Sequence, residues 1–289
     1  MMKNKMKVLL TGGTGFIGTK FIEKFSKEFD FIILSSKEKI QKQEIIKTIE
    51  KINPDIVIHL AALSGLKNCE LDQKEAFDVN VMGTENIVKG CMKNNSRLIF
   101  LSSREVYGST VMKKSDENDE LDPINVYGQT KMKAEKIIQK YGEKENLDYT
   151  ILRLTNVYGP GNKSGINRLI VDALNKKKIV VNGGEQILNL IFIDDVIQIL
   201  HLVLKNNKIS KEIFNIGSNN TISLNEFLEI LIKLLDHNIE IQIGEKPSFE
   251  SSYFDPNITK QNKILGYNPK TTLNNNINVT IKYMKKNLF

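Results

Sequence analysis

Tyr127 and Lys131, four residues apart, are the side chains of this sequence whose types and spacing best suit proton transfer. The apolar spacing predicts a helix over residues 126–141, and on a helix two side chains at this separation share one face. A tyrosine with a pKa of about 10 is a poor base at neutral pH, and a neighbouring ammonium group favours its ionised form. The pair therefore predicts an acid/base tyrosine whose pKa is lowered by the lysine. Because this spacing is also common on helix surfaces without any chemical role, the prediction depends on where the pair lies.

A strand predicted over residues 98–102 ends beside two further polar side chains. Ser103 follows the strand directly, and Glu105 stands two residues later. The carboxyl ends of parallel strands form the edge of a sheet at which ligands bind. Ser103 is therefore placed to hydrogen-bond a substrate oxygen.

Four glycines stand within residues 12–18, in the sequence GGTGFIG. They satisfy both a GxxGxxG and a GxGxxG spacing, directly after a predicted strand and at the start of a predicted helix. Glycines permit a sharp turn and a close approach of backbone N–H groups to a pyrophosphate, and the helix N-terminus adds partial positive charge. A tight strand–helix turn would explain a lone glycine pattern, but the flanking elements favour a dinucleotide site.

The second predicted strand, residues 31–34, is followed by Ser35, Ser36 and Lys37. NAD-binding enzymes of this kind carry a carboxylate at this point, which bonds the ribose 2′-hydroxyl. Here no carboxylate repels a 2′-phosphate, two hydroxyls can bond it, and Lys37 can neutralise it. The sequence therefore favours NADP slightly over NAD, the alternative being that Lys37 is simply the solvated start of a helix.

Short apolar runs alternate with amphipathic segments through the first half of the chain, which predicts a parallel sheet with helices on both faces. We expect an α/β fold: a Rossmann-type, doubly wound parallel sheet with a smaller C-terminal α/β lid that binds substrate. The predicted NAD(P)-binding domain is 1–160, with return segments within about 176–215, and 161–289 is mainly the substrate-binding domain. The predicted strands are 7–11, 31–34, 56–60, 98–102, 149–154, 179–181 and 214–217. The predicted helices are 16–25, 44–52, 76–92, 126–141, 168–175, 194–204 and 224–235, and the chain beyond them is loop-rich.

Composition and charge argue against several classes of protein. The formal net charge is +7, but the positive charge comes almost entirely from scattered lysines, without a clustered basic face, so we expect no nucleic-acid partner. Cys69 and Cys91 have no metal or disulfide spacing, and His59, His201 and His237 are widely separated, so we expect no metal site. No apolar stretch approaches the roughly 20 residues that span a bilayer, and no signal peptide fits before the first strand. We therefore expect a cytoplasmic protein with no membrane association.

Taken together, the sequence resembles the extended short-chain dehydrogenase/reductase family, specifically its NAD-dependent epimerase/dehydratase branch, which acts on nucleotide sugars. The resemblance runs almost from end to end. The motifs that carry it are the glycines of residues 12–18, His59-Leu-Ala-Ala62, Asn80-Val-Met-Gly-Thr84, Ser102-Ser103…Tyr107-Gly108, Tyr127…Lys131, Arg153-Leu-Thr-Asn-Val-Tyr-Gly-Pro160, Ile193-Asp-Asp-Val196, Phe214-Asn-Ile-Gly217 and Leu265-Gly-Tyr267.

The resemblance implies a role for each residue of the predicted site. Tyr127 moves a sugar hydroxyl proton, Lys131 bonds the nicotinamide ribose and lowers the tyrosine pKa, and Ser103 orients the reacting oxygen. Glu105 corresponds to a glutamate that is a second acid/base in dehydratase and decarboxylase relatives, the alternative being a carboxylate paired with Arg104 or solvent. Dehydratases often carry Asp where Arg104 stands, which argues against a 4,6-dehydratase. The implied cofactor-binding residues are Gly12, Gly15, Phe16, Ile17, Gly18, Ser35, Ser36, Lys37, Leu60, Ala61, Ala62, Tyr127, Lys131 and Leu154.

Three departures from the family pattern concern the substrate phosphates and the sheet edge. Relatives usually have an arginine–aspartate pair where Leu188 and Asn189 stand, and a second arginine near residues 247–251, which is missing here. Between residues 34 and 56 there is room for one helix only, so we expect a sheet one strand shorter at that edge and a more open adenine pocket. The candidates to replace the arginines are Arg168, Lys163 and Lys246, and the predicted substrate-binding residues are Ser64, Asn156 and Arg168.

The expected function is that of an NAD(P)-dependent nucleotide-sugar oxidoreductase, with Tyr127 as acid/base and hydride passing between nicotinamide and a sugar carbon. Two subtypes stay open: a 4-epimerase, or an NADPH-dependent 4-keto-sugar reductase, which residues 35–37 favour. The alternative from another class is a non-catalytic cofactor-sensing or RNA-binding relative. The intact Tyr–Lys pair speaks against that alternative and the missing arginines speak mildly for it. Family members often dimerise, so we expect a homodimer formed through helices 76–92 and 126–141.

Overall fold

The structure, a computed structural model, describes residues 5–34, 40–109, 113–269 and 272–288. The strands are β1 (Lys7–Thr11), β2 (Asp30–Leu34), β3 (Ile56–His59), β4 (Arg97–Ser103), β5 (Lys114–Ser115), β6 (Tyr149–Leu154), β7 (Asn156–Tyr158), β8 (Lys178–Asn182), β9 (Ile187–Phe192), β10 (Glu212–Ile216), β11 (Thr221–Ser223), β12 (Glu240–Gly244) and β13 (Asp255–Pro256). The helices are α1 (Phe16–Phe25), α2 (Glu44–Ile52), α3 (Leu66–Leu71), α4 (Gln73–Phe77), α5 (Gly83–Asn94), α6 (Val126–Lys144), α7 (Ile166–Asn175), α8 (Ile193–Lys205), α9 (Leu224–Leu234), α10 (Thr259–Leu265) and α11 (Leu273–Leu288). A π-helical turn (Asp78–Met82) and a 3₁₀ turn (Arg104–Tyr107) complete the elements.

Six parallel strands form the central sheet, in the order β10-β6-β4-β3-β1-β2. Successive residues of its strands point to opposite faces. Val8 and Leu10 therefore pack into a core with α1 and α8, whereas Leu9 packs into a second core with α2, α5 and α6. Helices cover both faces, which confirms the doubly wound fold predicted from the sequence.

The edge of the sheet next to β2 bears out the expected shortening. β2 pairs with β1 on one side, and among the described ranges no strand pairs with its other side. The side chain of Ile33 on β2 is 43% exposed. Within the described residues the sheet therefore ends at β2, beside the glycines of residues 12–18.

The single helix predicted over residues 76–92 is wrong, because α4, the π-helical turn and α5 follow one another there. The π turn places Asn80 inside the protein, where its side chain accepts a hydrogen bond from Leu63 N at 2.8 Å and donates to Thr130 Oγ1 at 3.0 Å. These partners lie far away in the sequence, so local helical spacing does not reveal the break. π turns often occur at functional sites.

The C-terminal part is more regular than the sequence predicts. β12 pairs in parallel with β8, β13 pairs in parallel with β5, and β11, β9 and β7 form a three-stranded sheet. α8 begins one residue earlier than expected, at Ile193, so Asp194 and Asp195 lie in its first turn instead of capping it. In the described part of the chain, no helix has the length and apolarity needed to cross a bilayer.

Candidate active site

The glycine loop, residues 12–18, is held by close backbone packing. Gly12 has φ +70°, and a Cβ atom there would lie 2.7 Å from Ala61 N. A Cβ on Gly18 would lie 2.6 Å from Gly13 Cα. Gly15 precedes α1, and within the described residues no side chain caps this helix N-terminus. The free N–H groups, with no acidic residue in the first turn of α1, fit a bound anion such as a pyrophosphate.

The structure brings most of the predicted cofactor residues to this loop. Phe16 and Ile17 form the start of α1. Leu60 and Ala61 come directly after β3 and pack against the glycine loop, and Ala61 N donates to Thr11 Oγ1 at 3.3 Å. Ala62 is the next residue of the same segment. Leu154 ends β6 in register with Ser103 of β4, and Ser35, Ser36 and Lys37 lie outside the described residues. The segments that would hold a dinucleotide therefore meet at the carboxyl edge of the sheet.

His59 is buried at the end of β3, next to the strand that leads into the glycine loop. Its Nδ1 lies 2.6 Å from Thr11 Oγ1 and its Nε2 lies 3.0 Å from Thr84 Oγ1. Burial lowers the pKa of His59 to about 3, and the charge of Lys131 lowers it further. The ring is therefore neutral at physiological pH and joins β1 to α5 by hydrogen bonds.

Tyr127 and Lys131 lie in the first two turns of α6, and Lys131 is 2% exposed. The Lys131 Nζ atom is 4.2 Å from the centroid of the Phe100 ring. Among the described residues this amine accepts and donates no hydrogen bond. Burial lowers the pKa of Lys131 to about 7, although the nearby Glu135 carboxylate raises it. The lysine is therefore a buried, partly charged amine with a carboxylate and an aromatic ring nearby, and its N–H groups can donate to a bound ligand.

From the sequence we expected the tyrosine pKa to fall beside an ammonium group and a cationic nicotinamide ring, and in the protein without ligands it is raised instead. Burial raises the pKa of Tyr127 above its ordinary value, and the nearby Cys69 and Glu105 raise it further. A hydrogen bond between the Ser103 hydroxyl and the phenol lowers it only partly. The sequence argument counted the ammonium group but not the loss of water around the phenol, which is the larger effect.

Ser103 and Glu105 lie at the end of β4, beside Tyr127. Ser103 Oγ accepts a hydrogen bond from Glu105 N at 3.2 Å and so caps the 3₁₀ turn. One Glu105 carboxylate oxygen pairs with Arg104 at 2.8 Å, and the other accepts from Asn125 Nδ2 at 2.8 Å. The structure therefore shows the predicted pairing with Arg104 and also keeps Glu105 near the phenol.

The predicted substrate-binding residues lie in three different places. Ser64 is exposed in the loop after β3, and Asn156 on β7 donates to Asn189 O at 3.2 Å. Arg168 is exposed on α7, where its guanidinium pairs with Asp172 at 2.9 Å. Asn189, which stands where relatives have a phosphate-binding pair, is buried and donates to Ser218 O at 2.7 Å. The binding roles of Ser64, Asn156 and Arg168 stay predictions.

Sequence reasoning missed a buried ionic network behind the residues that it predicted to be catalytic. Glu135, one turn beyond Lys131, is fully buried and pairs with Arg153 at 2.8 Å. Glu135 also accepts a hydrogen bond from Ser102, and Arg153 donates to the Tyr107 hydroxyl at 2.8 Å. The i,i+4 spacing of Lys131 and Glu135 was the available signal.

The family follows from comparison with known proteins. The model of the NAD dependent epimerase/dehydratase family matches residues 8–217. The chain therefore belongs to this family.

Its relatives include more than one nucleotide-sugar enzyme. The chain is 30% identical to a putative UDP-glucose 4-epimerase of Methanocaldococcus jannaschii, over 97% of this chain and 99% of that protein. It is 28% identical to human dTDP-D-glucose 4,6-dehydratase, over 97% of this chain and 90% of that protein. The solved UDP-glucose 4-epimerase of Thermotoga maritima, crystallised with UDP-glucose, superposes with a TM-score of 0.91 at 23% identity, covering 98% of this chain and 100% of that one. The fold is thus that of the family, and the relatives differ in reaction.

Proposed function

We propose that the chain is an NAD(P)-dependent nucleotide-sugar oxidoreductase in which Tyr127 is the acid/base. The observation that carries the proposal is the meeting of Ser103, Glu105, Tyr127 and Lys131 at the same edge of the sheet as the glycine loop. These four residues are named the catalytic cluster below. A bound nicotinamide supplies the hydride acceptor and donor, and the residues of the chain supply binding and proton transfer.

The contacts of the catalytic cluster support a division of roles. The Ser103 hydroxyl bonds the Tyr127 phenol, so both can share one substrate oxygen. Because the pKa of Tyr127 is raised, the phenol is neutral at physiological pH and suited to donate a proton to a ketone oxygen. Removing a proton from a sugar hydroxyl requires added positive charge near the phenol, such as an oxidised nicotinamide. Lys131, unpaired among the described residues, is the proposed ligand of the nicotinamide ribose.

Within this function we propose 4-epimerisation as the reaction. The Methanocaldococcus jannaschii relative, which aligns over nearly the whole of both chains, has that assignment. Arg104, paired with Glu105, stands where 4,6-dehydratases often carry an aspartate. An arginine cannot donate a proton at neutral pH as a carboxylic acid can, which disfavours elimination of water from the sugar.

The test incubates the purified protein with NAD and, separately, UDP-glucose, UDP-galactose, UDP-glucuronate and dTDP-glucose, with products followed by NMR. We expect inversion at C4 of one of these sugars, and Tyr127→Phe to lower its rate by roughly a hundredfold or more. A 4-epimerase returns the hydride to C4 and needs no solvent deuterium at carbon, so Glu105→Gln is assayed both for hydride transfer and for solvent-deuterium incorporation. Incorporation in the wild-type protein that Glu105→Gln abolishes would assign Glu105 to proton transfer at the carbon next to the keto group, and unchanged incorporation would remove it from that step. No product and no change of nicotinamide absorbance with any sugar would favour the non-catalytic alternative.

The second candidate is an NADPH-dependent 4-keto-sugar reductase. The motif Ser35-Ser36-Lys37, with two hydroxyls and a cation but no carboxylate, favours it. The measurement is the ratio of the dissociation constants of NAD and NADP, together with NADPH oxidation in the presence of a 4-keto sugar. Tighter binding of NAD would reject both the NADP preference and this subtype.

We further propose that the protein acts as a homodimer in the cytoplasm. Leu71, Phe77 and Met82, which lie on α3, α4 and the π turn, expose 76%, 38% and 41% of their surface. A second copy packing on this region and on α6 would cover them. Light scattering of the purified protein tests the dimer, and Phe77→Glu is expected to make it monomeric.

A further inference from the structure

Asn125, the residue before α6, uses every polar atom of its side chain. It is 1% exposed, and its Oδ1 accepts a hydrogen bond from Gly128 N at 2.7 Å, which caps the helix that carries Tyr127 and Lys131. Its Nδ2 donates to Glu105 Oε2 at 2.8 Å and to Phe249 O at 3.1 Å. One buried amide thus touches the start of α6, the carboxylate of the catalytic cluster and the C-terminal part of the chain.

The contacts leave Glu105 little freedom. Arg104 pairs with one carboxylate oxygen, and Asn125, at the end of the loop that leads into α6, donates to the other oxygen. A carboxylate restrained at both oxygens keeps a fixed direction relative to Tyr127, whose pKa is raised by the charge of Glu105. Hydrogen bonds to charged groups are among the stronger ones in proteins.

The third contact reaches the segment of residues 246–251, here called the roof segment. Lys246 Nζ donates to Glu250 O at 2.6 Å, and Ser251 Oγ donates to Gly108 O at 3.1 Å. Glu250 faces the catalytic cluster closely enough for Glu105 to raise its pKa, while Lys246 and Arg104 lower it, and burial raises it most. Asn125 therefore joins the roof segment to the helix that begins at the catalytic tyrosine.

We propose that Asn125 is a positioning residue that fixes Glu105 beside Tyr127 and ties the roof segment to the start of α6. This inference rests on the proposed function of the site. A cap alone does not require this residue, because aspartate and serine cap helices as well as asparagine does. Of these capping side chains, only the amide can accept a hydrogen bond from the helix and also donate two, here to Glu105 and to Phe249 O.

The test uses Asn125→Asp, which keeps the capping oxygen, removes both N–H donors and places a carboxylate beside Glu105. We expect kcat to fall roughly tenfold, the size expected for losing a hydrogen bond to a charged group. The limb of the pH–rate profile that reports Tyr127 moves to higher pH, because a second carboxylate near the phenol disfavours the phenolate further. Hydrogen exchange of residues 247–251 becomes faster, while the Gly128 amide stays protected.

The matched control is Ser223→Ala, which removes the N-cap of α9 away from the site. It is expected to lower Tm without changing kcat or the pH profile, whereas Asn125→Ala lowers Tm and also shows the effects of Asn125→Asp. An Asn125→Asp protein with wild-type kcat, pH profile and exchange in the roof segment overturns the proposal. If the wild-type protein transfers no hydride to any sugar, the proposed function alone fails. Hydrogen exchange at residues 247–251 that is unchanged in Asn125→Asp would still reject the proposed contact between Asn125 and the roof segment.

Discussion

The glycine loop and the catalytic cluster lie at the same edge of one sheet, yet different forces hold them. The loop is fixed by contact between backbones, such as the 2.7 Å that would separate a Gly12 Cβ from Ala61 N, and it contains no ionisable side chain. The catalytic cluster is fixed by buried charges. Lys131 is 2% exposed, and Glu135, one turn further along α6, is fully buried. Steric fixation is insensitive to pH, whereas buried charge makes both position and stability depend on protonation.

This difference predicts that the largest loss of stability follows a substitution in the buried ionic network of Glu135 and Arg153, which lies behind the catalytic cluster. Arg153→Met leaves the Glu135 carboxylate buried without its partner, which lies at 2.8 Å in the wild-type protein. We expect the free energy of unfolding to fall by about 3–5 kcal/mol in urea titrations. Lys178→Met, which removes an exposed ion pair with Glu240, is the control and should cost less than about 1 kcal/mol. Equal losses in the two variants would show that burial of the network contributes nothing.

The second prediction concerns the loop and separates backbone strain from contact. Gly12→Ala adds a methyl group at φ +70° against Ala61, and Gly266→Ala adds one at φ +63° with no atom within 4 Å. We expect roughly 1 kcal/mol from the left-handed conformation in both variants and about 2 kcal/mol more for Gly12→Ala. Thermal unfolding measures both. Equal destabilisation of the two proteins would contradict fixation of the loop by close packing.

The third prediction is that removing the buried amine of Lys131 stabilises the fold. Burial holds the pKa of Lys131 at about 7, below the ordinary lysine value of about 10.4. Between these two pH values the unfolded chain binds the lysine proton more tightly than the folded chain does. The wild-type free energy of unfolding therefore rises with pH, and the destabilisation by the buried ammonium reaches its full size below pH 7. Lys131→Met should therefore be more stable by roughly 1–3 kcal/mol at pH 6 and by much less at pH 10, while losing activity.

Lys136→Met provides the control on the exposed side of the same helix. Its stability relative to wild type should not change between pH 6 and pH 10. A Lys131→Met protein that is less stable than wild type at pH 6 would show that Glu135 and the Phe100 ring outweigh the loss of solvation.

The first half of the fold could be predicted because its information is local. β1, α1, α2 and β6 have the bounds expected from the sequence, since each is an apolar run or stripe ended by glycine, by Asn53-Pro54 or by a polar turn. The strands β12 and β13 were missed because their partners, β8 and β5, lie far away in the sequence and a two-residue strand has no periodicity of its own.

The site was predictable in residue identity but not in electrostatics. The spacing of Tyr127 and Lys131 indicated that they share a helix face, and the structure shows them on α6. In the protein without ligands the pKa of Tyr127 is raised, which the sequence could not indicate because spacing carries no information on the desolvation of the phenol or on the nearby charge of Glu105. Asn125 escaped notice because its cap is a local signal, whereas its contacts with Glu105 and Phe249 are formed only by the tertiary fold.

The smallest expected effect on stability belongs to a residue outside both regions. Arg168 on α7 is exposed and pairs with Asp172 at 2.9 Å, so Arg168→Met should change the free energy of unfolding by less than about 0.5 kcal/mol. If the guanidinium also binds the substrate diphosphate, as proposed, the same variant should weaken UDP binding by about tenfold in calorimetry, because a charge-assisted hydrogen bond is lost. Lys176→Met removes the other partner of Asp172 and should leave UDP binding unchanged. Unchanged UDP affinity in Arg168→Met would leave recognition of the substrate phosphates to Lys163 or Lys246.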